Sequence, residues 1–146
     1  MAEVEFRLEE DENSDLPRVV NIYLDGRPLR ALVGEFERPF AVAAGEPGQA
    51  GDYAGLWPPD ALAEGGGHFL GEPVEFYRGR SILLGCGCGA AQCHPLTADI
   101  TIEDTIVTWS GFESAHTGWD LTALGPFVFD RAQYEASLEE ARRTWS

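Results

Sequence analysis

Lysine is absent: all ten basic residues of this 146-residue chain are arginine, against 25 Asp and Glu, for a net charge of −15. A chain so poor in cations is a bad counterion-releasing partner for nucleic acid and is repelled by an anionic membrane surface. Long apolar runs are also missing. Nothing approaches the roughly 20 residues needed to cross a bilayer, and the opening Met1-Ala2-Glu3-Val4-Glu5 puts acids where a signal peptide carries positive charge. Cysteine is scarce and unscattered, with three residues confined to the stretch from Cys86 to Cys93. A secreted disulfide framework distributes an even number along the chain. These absences together describe a soluble cytoplasmic protein, and the lack of lysine beside abundant Ala, Gly and Arg matches the codon usage of a GC-rich bacterium.

What is present is enough for a core: 44% of the residues are hydrophobic, too many for an acidic disordered chain. Val4, Phe6 and Leu8 alternate with Glu3, Glu5 and Arg7, the pattern of a strand with one wet face. Glu9 to Asp15 follows as an acidic turn. Its Asp11-x-Asn13-x-Asp15 spacing resembles the start of a calcium loop, but Leu16 stands at the required Gly and Ile22 at the required Glu, leaving a solvated turn. Residues 1–16 hold seven acids against Arg7, a net −6, which solubility alone explains.

Arg18–Leu24 and Arg27–Val33 flank Asp25-Gly26, the two-residue hairpin signal, with Ile22 expected opposite Leu29 and Val20 opposite Ala31. From Gly45 to Pro73, 12 of 29 residues are Gly or Pro, so 45–73 reads as a long loop, pinned by Tyr53, Trp57 and Phe69 or serving as a binding surface. A short helix with Pro at its start fits Pro59–Glu64. Strands are expected at Val74–Tyr77 and Ser81–Leu84. A second hairpin pairs Leu96–Ile102 with Thr105–Trp109, and Gly111–Gly125 follows as a loop. Residues 130–145 form a helix: Asp130 caps it, Gln133 completes a capping box, Phe129 and Tyr134 staple it, and Tyr134, Leu138, Ala141 and Trp145 share one stripe. No composition shift divides residues 1–146. The expected fold is a single α+β domain, an antiparallel sheet of hairpins with the C-terminal helix packed on one face.

Chemistry concentrates in Gly85-Cys86-Gly87-Cys88-Gly89-Ala90-Ala91-Gln92-Cys93-His94-Pro95. Cys86 and Cys88 point the same way on an extended segment, roughly 7 Å apart, and a bend at Gly87 brings them onto one ion that Cys93 can join. Three thiolates with His94 would make a closed structural zinc site. His94 diverges from Cys93 and is held extended by Pro95, so His68 or His116 is an alternative fourth ligand. Two rivals use the same residues. One is a reversible dithiol, which needs a nearby cation or metal to lower a thiol pKa; the other is a glycine-rich turn whose cysteines simply pack as small hydrophobes. The Gly85-x-Gly87-x-Gly89 run is not a phosphate loop: it lacks the Gly-x-Gly-x-x-Gly spacing and a following Lys-Ser/Thr, and it precedes Pro95 and a strand rather than a helix. No pairing of these cysteines with a histidine is singled out for catalysis, and no catalytic residue is selected.

The motif Cys86-Gly87-Cys88-Gly89-x3-Cys93-x-Pro95, followed by Val107-Thr108-Trp109-Ser110-x-Phe112 and Gly125-Pro126-Phe127-x-Phe129-Asp130-x-x-x-Tyr134, resembles a group of small bacterial hypothetical proteins. The resemblance covers about residues 83–138 and implies a single compact cytoplasmic domain with no assigned activity. In that group Cys93 is preceded by Gly and followed by Trp or Gly, where this chain has Gln92 and His94.

Three functions follow as expectations. The first is a non-catalytic protein-interaction domain, acidic enough to neutralise a basic partner as toxin-immunity proteins do. The second is a small structural zinc protein built on Cys86, Cys88, Cys93 and His94. The third is a dithiol redox protein.

Overall fold

The N-terminal alternation forms β1 (Val4–Glu9), which pairs antiparallel with β2 (Val19–Leu24), Phe6 facing Ile22 and Val4 facing Leu24. The chain is described from a computed structural model over residues 1–63, 67–73, 76–88, 93–115 and 117–145. Asp25 and Gly26 both take positive φ, 51° and 82°, as a type I′ turn requires. The return strand β3 is only Arg27–Pro28, with Leu24 opposite Arg27 and Tyr23 opposite Pro28. This is the expected register, but the ladder stops there. Leu29 to Ala43 is a helix, α1, rather than the rest of a hairpin arm. Leu29, Val33, Glu37 and Ala41 recur every four residues on its buried face, so helical burial overrides the short alternation of Leu29, Ala31 and Val33.

The loop from Gly45 onward carries a short 3-10 turn at Pro47–Gln49, the single-turn helix α2 at Pro58–Ala61, and another 3-10 turn at His68–Leu70. Tyr53 and Phe69 are buried, whereas Trp57 is 37% exposed and does not pin the loop. Hairpin β4 (Phe76–Tyr77) and β5 (Arg80–Leu84) turns through Arg78-Gly79; the expected start of that strand at Val74 lies outside the described residues.

Strand β6 (Leu96–Ile102) pairs with β7 (Ile106–Ser114), and β7 with β8 (Phe127–Asp130). The expected Gly111–Gly125 loop begins later than the sequence suggested. Gly111, at φ 62°, makes a bulge through which β7 continues to Ser114. The architecture is therefore α+β, with two antiparallel sheets, β1-β2-β3 and β4-β5-β6-β7-β8. Isolated bridges tie them together: Ala2 to Phe129, Val20 to Leu56, and Ala54 to Gly85.

Helix α3 (Arg131–Trp145) closes the core against β1, β8 and β7. Asp130 accepts the Gln133 backbone N–H at 3.0 Å, the expected cap. The Gln133 side chain does not complete a capping box. It reaches β1 instead, donating to the Val4 carbonyl at 2.8 Å and accepting the Val4 N–H at 3.2 Å. Tyr134, Leu138 and Ala141 are buried, while Trp145, the last of the expected stripe, is 39% exposed. The Tyr134 hydroxyl donates to the Phe69 carbonyl at 2.5 Å and accepts the Trp109 indole N–H at 3.2 Å. Phe6 and Phe129 pack against the same ring, with centroids at 5.5 Å in each case.

Candidate metal centre

Strand β5 ends in the Gly85 bridge, and the cysteine segment leaves the sheet there. Gly85 and Ala54 exchange backbone hydrogen bonds at 2.8 and 2.9 Å, which fixes the position from which Cys86 departs. One residue on, the Gly87 carbonyl accepts the Asp15 N–H at 2.7 Å. Gly87 lies so close to the Asn13 carbonyl that no Cβ could be accommodated. Only glycine lets the 11–15 segment sit this tightly on the cysteine turn. The chain returns through Cys93 to β6, where the Pro95 carbonyl accepts the Ala115 N–H at 3.1 Å.

These anchors bring the sulfurs of Cys86, Cys88 and Cys93 within 4.8 Å of one another. Cys86 is half-buried, Cys88 and Cys93 are exposed, and none of the three is in a disulfide. Exposure is the opposite of what inert cysteines packed as hydrophobes would show. Hydrogen bonds and charge interaction with Cys86, and then with Cys88, push the Cys93 thiol up to about 11. A dithiol nucleophile needs its pKa lowered; for Cys93 the neighbouring sulfurs raise it. A cation is what would make all three thiolates compatible.

His94 is not brought into the sulfur group. Its ring lies nearly parallel to Tyr53, at 15° and 5.4 Å between centroids. His68 is buried beside Phe69, and its Nε2 is 2.8 Å from the Ile82 carbonyl. Burial lowers its pKa, so the ring is held neutral and donates that bond. His116 lies outside the described residues, as do Gly89 to Gln92 between the second and third cysteines.

The surroundings of the cysteine turn contain residues to which the sequence assigned no role. Asp11 belongs to the supposed solvated turn, yet its side chain is 1% exposed. It accepts the Asn13 N–H at 2.9 Å, two contacts of 3.0 Å from Arg30 Nη1, and the Gly55 N–H at 3.2 Å. Burial by itself would raise its pKa, but the bonds from Asn13, Arg30 and Gly55 outweigh that and hold the carboxyl below its ordinary value. Arg30 also donates to the Tyr53 carbonyl at 3.2 Å.

Two helical turns further along α1, Glu37 is fully buried. It accepts the Tyr53 hydroxyl at 2.6 Å and the Gly51 N–H at 2.9 Å. The Ser114 hydroxyl in turn donates to the Tyr53 oxygen at 2.9 Å. Burial raises the Glu37 pKa despite those bonds. A turn over Glu9–Asp15 was expected from sequence, but the partners of Asp11 were not, because Arg30 and Gly55 are distant in the chain.

A cavity of about 310 Å3 lies near Ser114, between Tyr77 and Trp119. Its lining mixes Arg78 with Glu113 and Asp120 and singles out no ligand chemistry. Among the described residues, no helix is long and apolar enough to cross a membrane. No protein-family profile, curated protein or solved structure matches the chain, so the chemistry of this site rests on its own geometry.

Proposed function

We propose that this α+β domain binds a thiophilic metal ion, zinc in the first instance, through Cys86, Cys88 and Cys93. One observation carries the reading: three sulfurs from a surface turn lie within 4.8 Å of one another. In a tetrahedral site with Zn–S bonds of about 2.3 Å, sulfurs lie about 3.8 Å apart. The three need therefore close by at most about 1 Å from the 4.8 Å limit. Bound there, the ion would cross-link the end of β5 to the start of β6 and serve the fold rather than a reaction. His94, expected as the fourth ligand, would first have to leave its stack on Tyr53.

The interaction-domain reading draws on the acidity, the lack of a catalytic constellation and the Gly/Pro-rich 45–73 loop with its aromatics, none of which names a partner. Its apolar candidates, Met1, Val42, Trp57 and Trp145, are exposed on four separate segments, and a net −15 chooses no particular partner. Titration of the reduced protein with Co2+, followed by thiolate-to-metal charge-transfer absorbance, tests the metal reading. Saturation at one ion per chain, with the band lost in Cys88→Ser, is expected. Absence of a charge-transfer band in the wild type rejects it.

A further inference from the structure

Two of the contacts that hold the cysteine turn in place, at Gly85 and at Gly87, lead back to one carboxylate far upstream. Four strands, β2 to β5, separate Asp11 from the first cysteine, and its carboxylate reaches three segments at once. Through the Asn13 N–H it shapes its own loop; through Arg30 it fastens that loop to α1; through the Gly55 N–H it fastens it to the segment that bridges Gly85. The loop so fixed then meets the cysteine turn directly, with Asp15 N–H donating to the Gly87 carbonyl at 2.7 Å and Asn13 pressed against Gly87. Gly87 is the residue between the first two sulfurs.

We infer that Asp11 is a positioning residue of the metal site, fixing the spacing of Cys86 and Cys88 through the 11–15 loop although it touches neither sulfur. The inference rests on the metal reading above and adds to it the group that sets the site's geometry. A ligand pair separated by one glycine has two soft backbone dihedrals at that glycine, so the turn needs an outside constraint to present both thiolates together. The Gly87 carbonyl, held by Asp15, supplies it. Arg30 is the second member of the same device. Its guanidinium bonds both Asp11 and the Tyr53 carbonyl, and Tyr53 carries the ring stacked on His94, the neighbour of Cys93. Both arms of the cysteine turn are thereby referred to α1. Asp11 is then part of the site's support, while Glu12, Asn13 and Asp15 of the same turn are exposed.

Outer partners that orient metal ligands typically change metal affinity 10- to 100-fold when removed. The test is competition of the Zn2+-loaded protein against a chromophoric chelator, for wild type, Asp11→Asn, Arg30→Met and the control Leu138→Ala. Leu138 is buried on α3, which packs against β1, β8 and β7, so its truncation lowers stability by opening a cavity in that part of the core. Asp11→Asn and Arg30→Met are each expected to weaken zinc binding by about 10-fold or more, and to shift the Co2+ charge-transfer band. Leu138→Ala, although less stable, keeps wild-type affinity and the wild-type band. Equal affinity and an unshifted band in Asp11→Asn overturn the inference, as does an equal loss of affinity in the Leu138 control. Failure of the wild type itself to take up zinc or cobalt rejects the metal reading instead. If Asp11→Asn does not fold, Arg30→Met decides the matter by the same two readouts.

Discussion

Replacing Glu37 by Gln, beside Tyr53→Phe, tests whether the buried polar hub between α1 and the 51–53 segment carries the electrostatics its geometry implies. Glu37 has no exposed surface, and its carboxylate receives two hydrogen bonds, from Tyr53 and Gly51. Tyr53→Phe keeps the ring and its stack on His94 but removes the hydroxyl. A hydrogen bond to a charged group contributes about 1.5–3 kcal/mol and a neutral one about 1 kcal/mol. With the Ser114 partner also orphaned, the expected loss near neutral pH is about 2–4 kcal/mol.

Glu37→Gln behaves differently. The new amide keeps an acceptor for Gly51, and the Tyr53 hydroxyl can reverse its role, accepting from the amide and donating to Ser114. No buried charge remains, so the expected cost at neutral pH is under about 1 kcal/mol. The pH dependence has a definite sign. Burial holds the folded-state pKa of Glu37 above its ordinary 4.5. Its favourable contribution is therefore full below that value and is lost as pH rises through the folded pKa. Urea unfolding followed by tryptophan fluorescence from about pH 4 to pH 8 gives the stability of each protein. Wild type minus Glu37→Gln should be greatest at the acid end and shrink as pH rises. A difference that grows with pH, or a Glu37→Gln protein as unstable at neutral pH as Tyr53→Phe, would refute the reasoning.

Three further outcomes are expected. Tyr134→Phe strips the partner from the buried Trp109 indole N–H and the Phe69 carbonyl, costing about 2–4 kcal/mol and lowering Tm by roughly 5–15 °C in a thermal melt; an unchanged Tm contradicts the packing described for α3. Gly87→Ala forces the Asn13 carbonyl away and should weaken zinc binding by about 10-fold in the chelator competition, while leaving the far-ultraviolet circular dichroism of the sheets intact. Below pH 3.8, the ordinary value for Asp11, wild type should lose stability as pH falls through the depressed folded pKa. Asp11→Asn should lack that step in acid unfolding, and an identical acid profile would count against the buried Arg30–Asp11 pair.

Elements with a clean period were legible in the sequence: β1 and β2, the β6–β7 hairpin and α3 all lie where alternation or a 4-3 spacing placed them. Helix α1 was not, for two physical reasons. Leu29, Ala31 and Val33 satisfy a strand period over the few residues after a genuine type I′ turn. The helical stripe that continues them is interrupted by a charged Glu37 at a core position and by Pro39 inside the helix. Glu37 is tolerated there only because Tyr53 and Gly51 meet it, and neither partner is local. The cysteine trio was legible as a candidate, since its members are close in sequence. Its supports were not, because Asp11, Arg30 and Gly55 meet only after β1, α1 and the loop have packed. The divergence of His94 from Cys93 was legible too, from their adjacency and from Pro95; its stack on Tyr53 was not, because Tyr53 lies far away in the chain.

Metal content measured directly is the sharpest test of the central claim. Protein purified without chelator should show, by native mass spectrometry and elemental analysis together, one zinc ion per chain, with no free thiol reacting until the protein is unfolded or the metal removed. A chain with no stoichiometric metal and three freely titrating thiols at Cys86, Cys88 and Cys93 would contradict it.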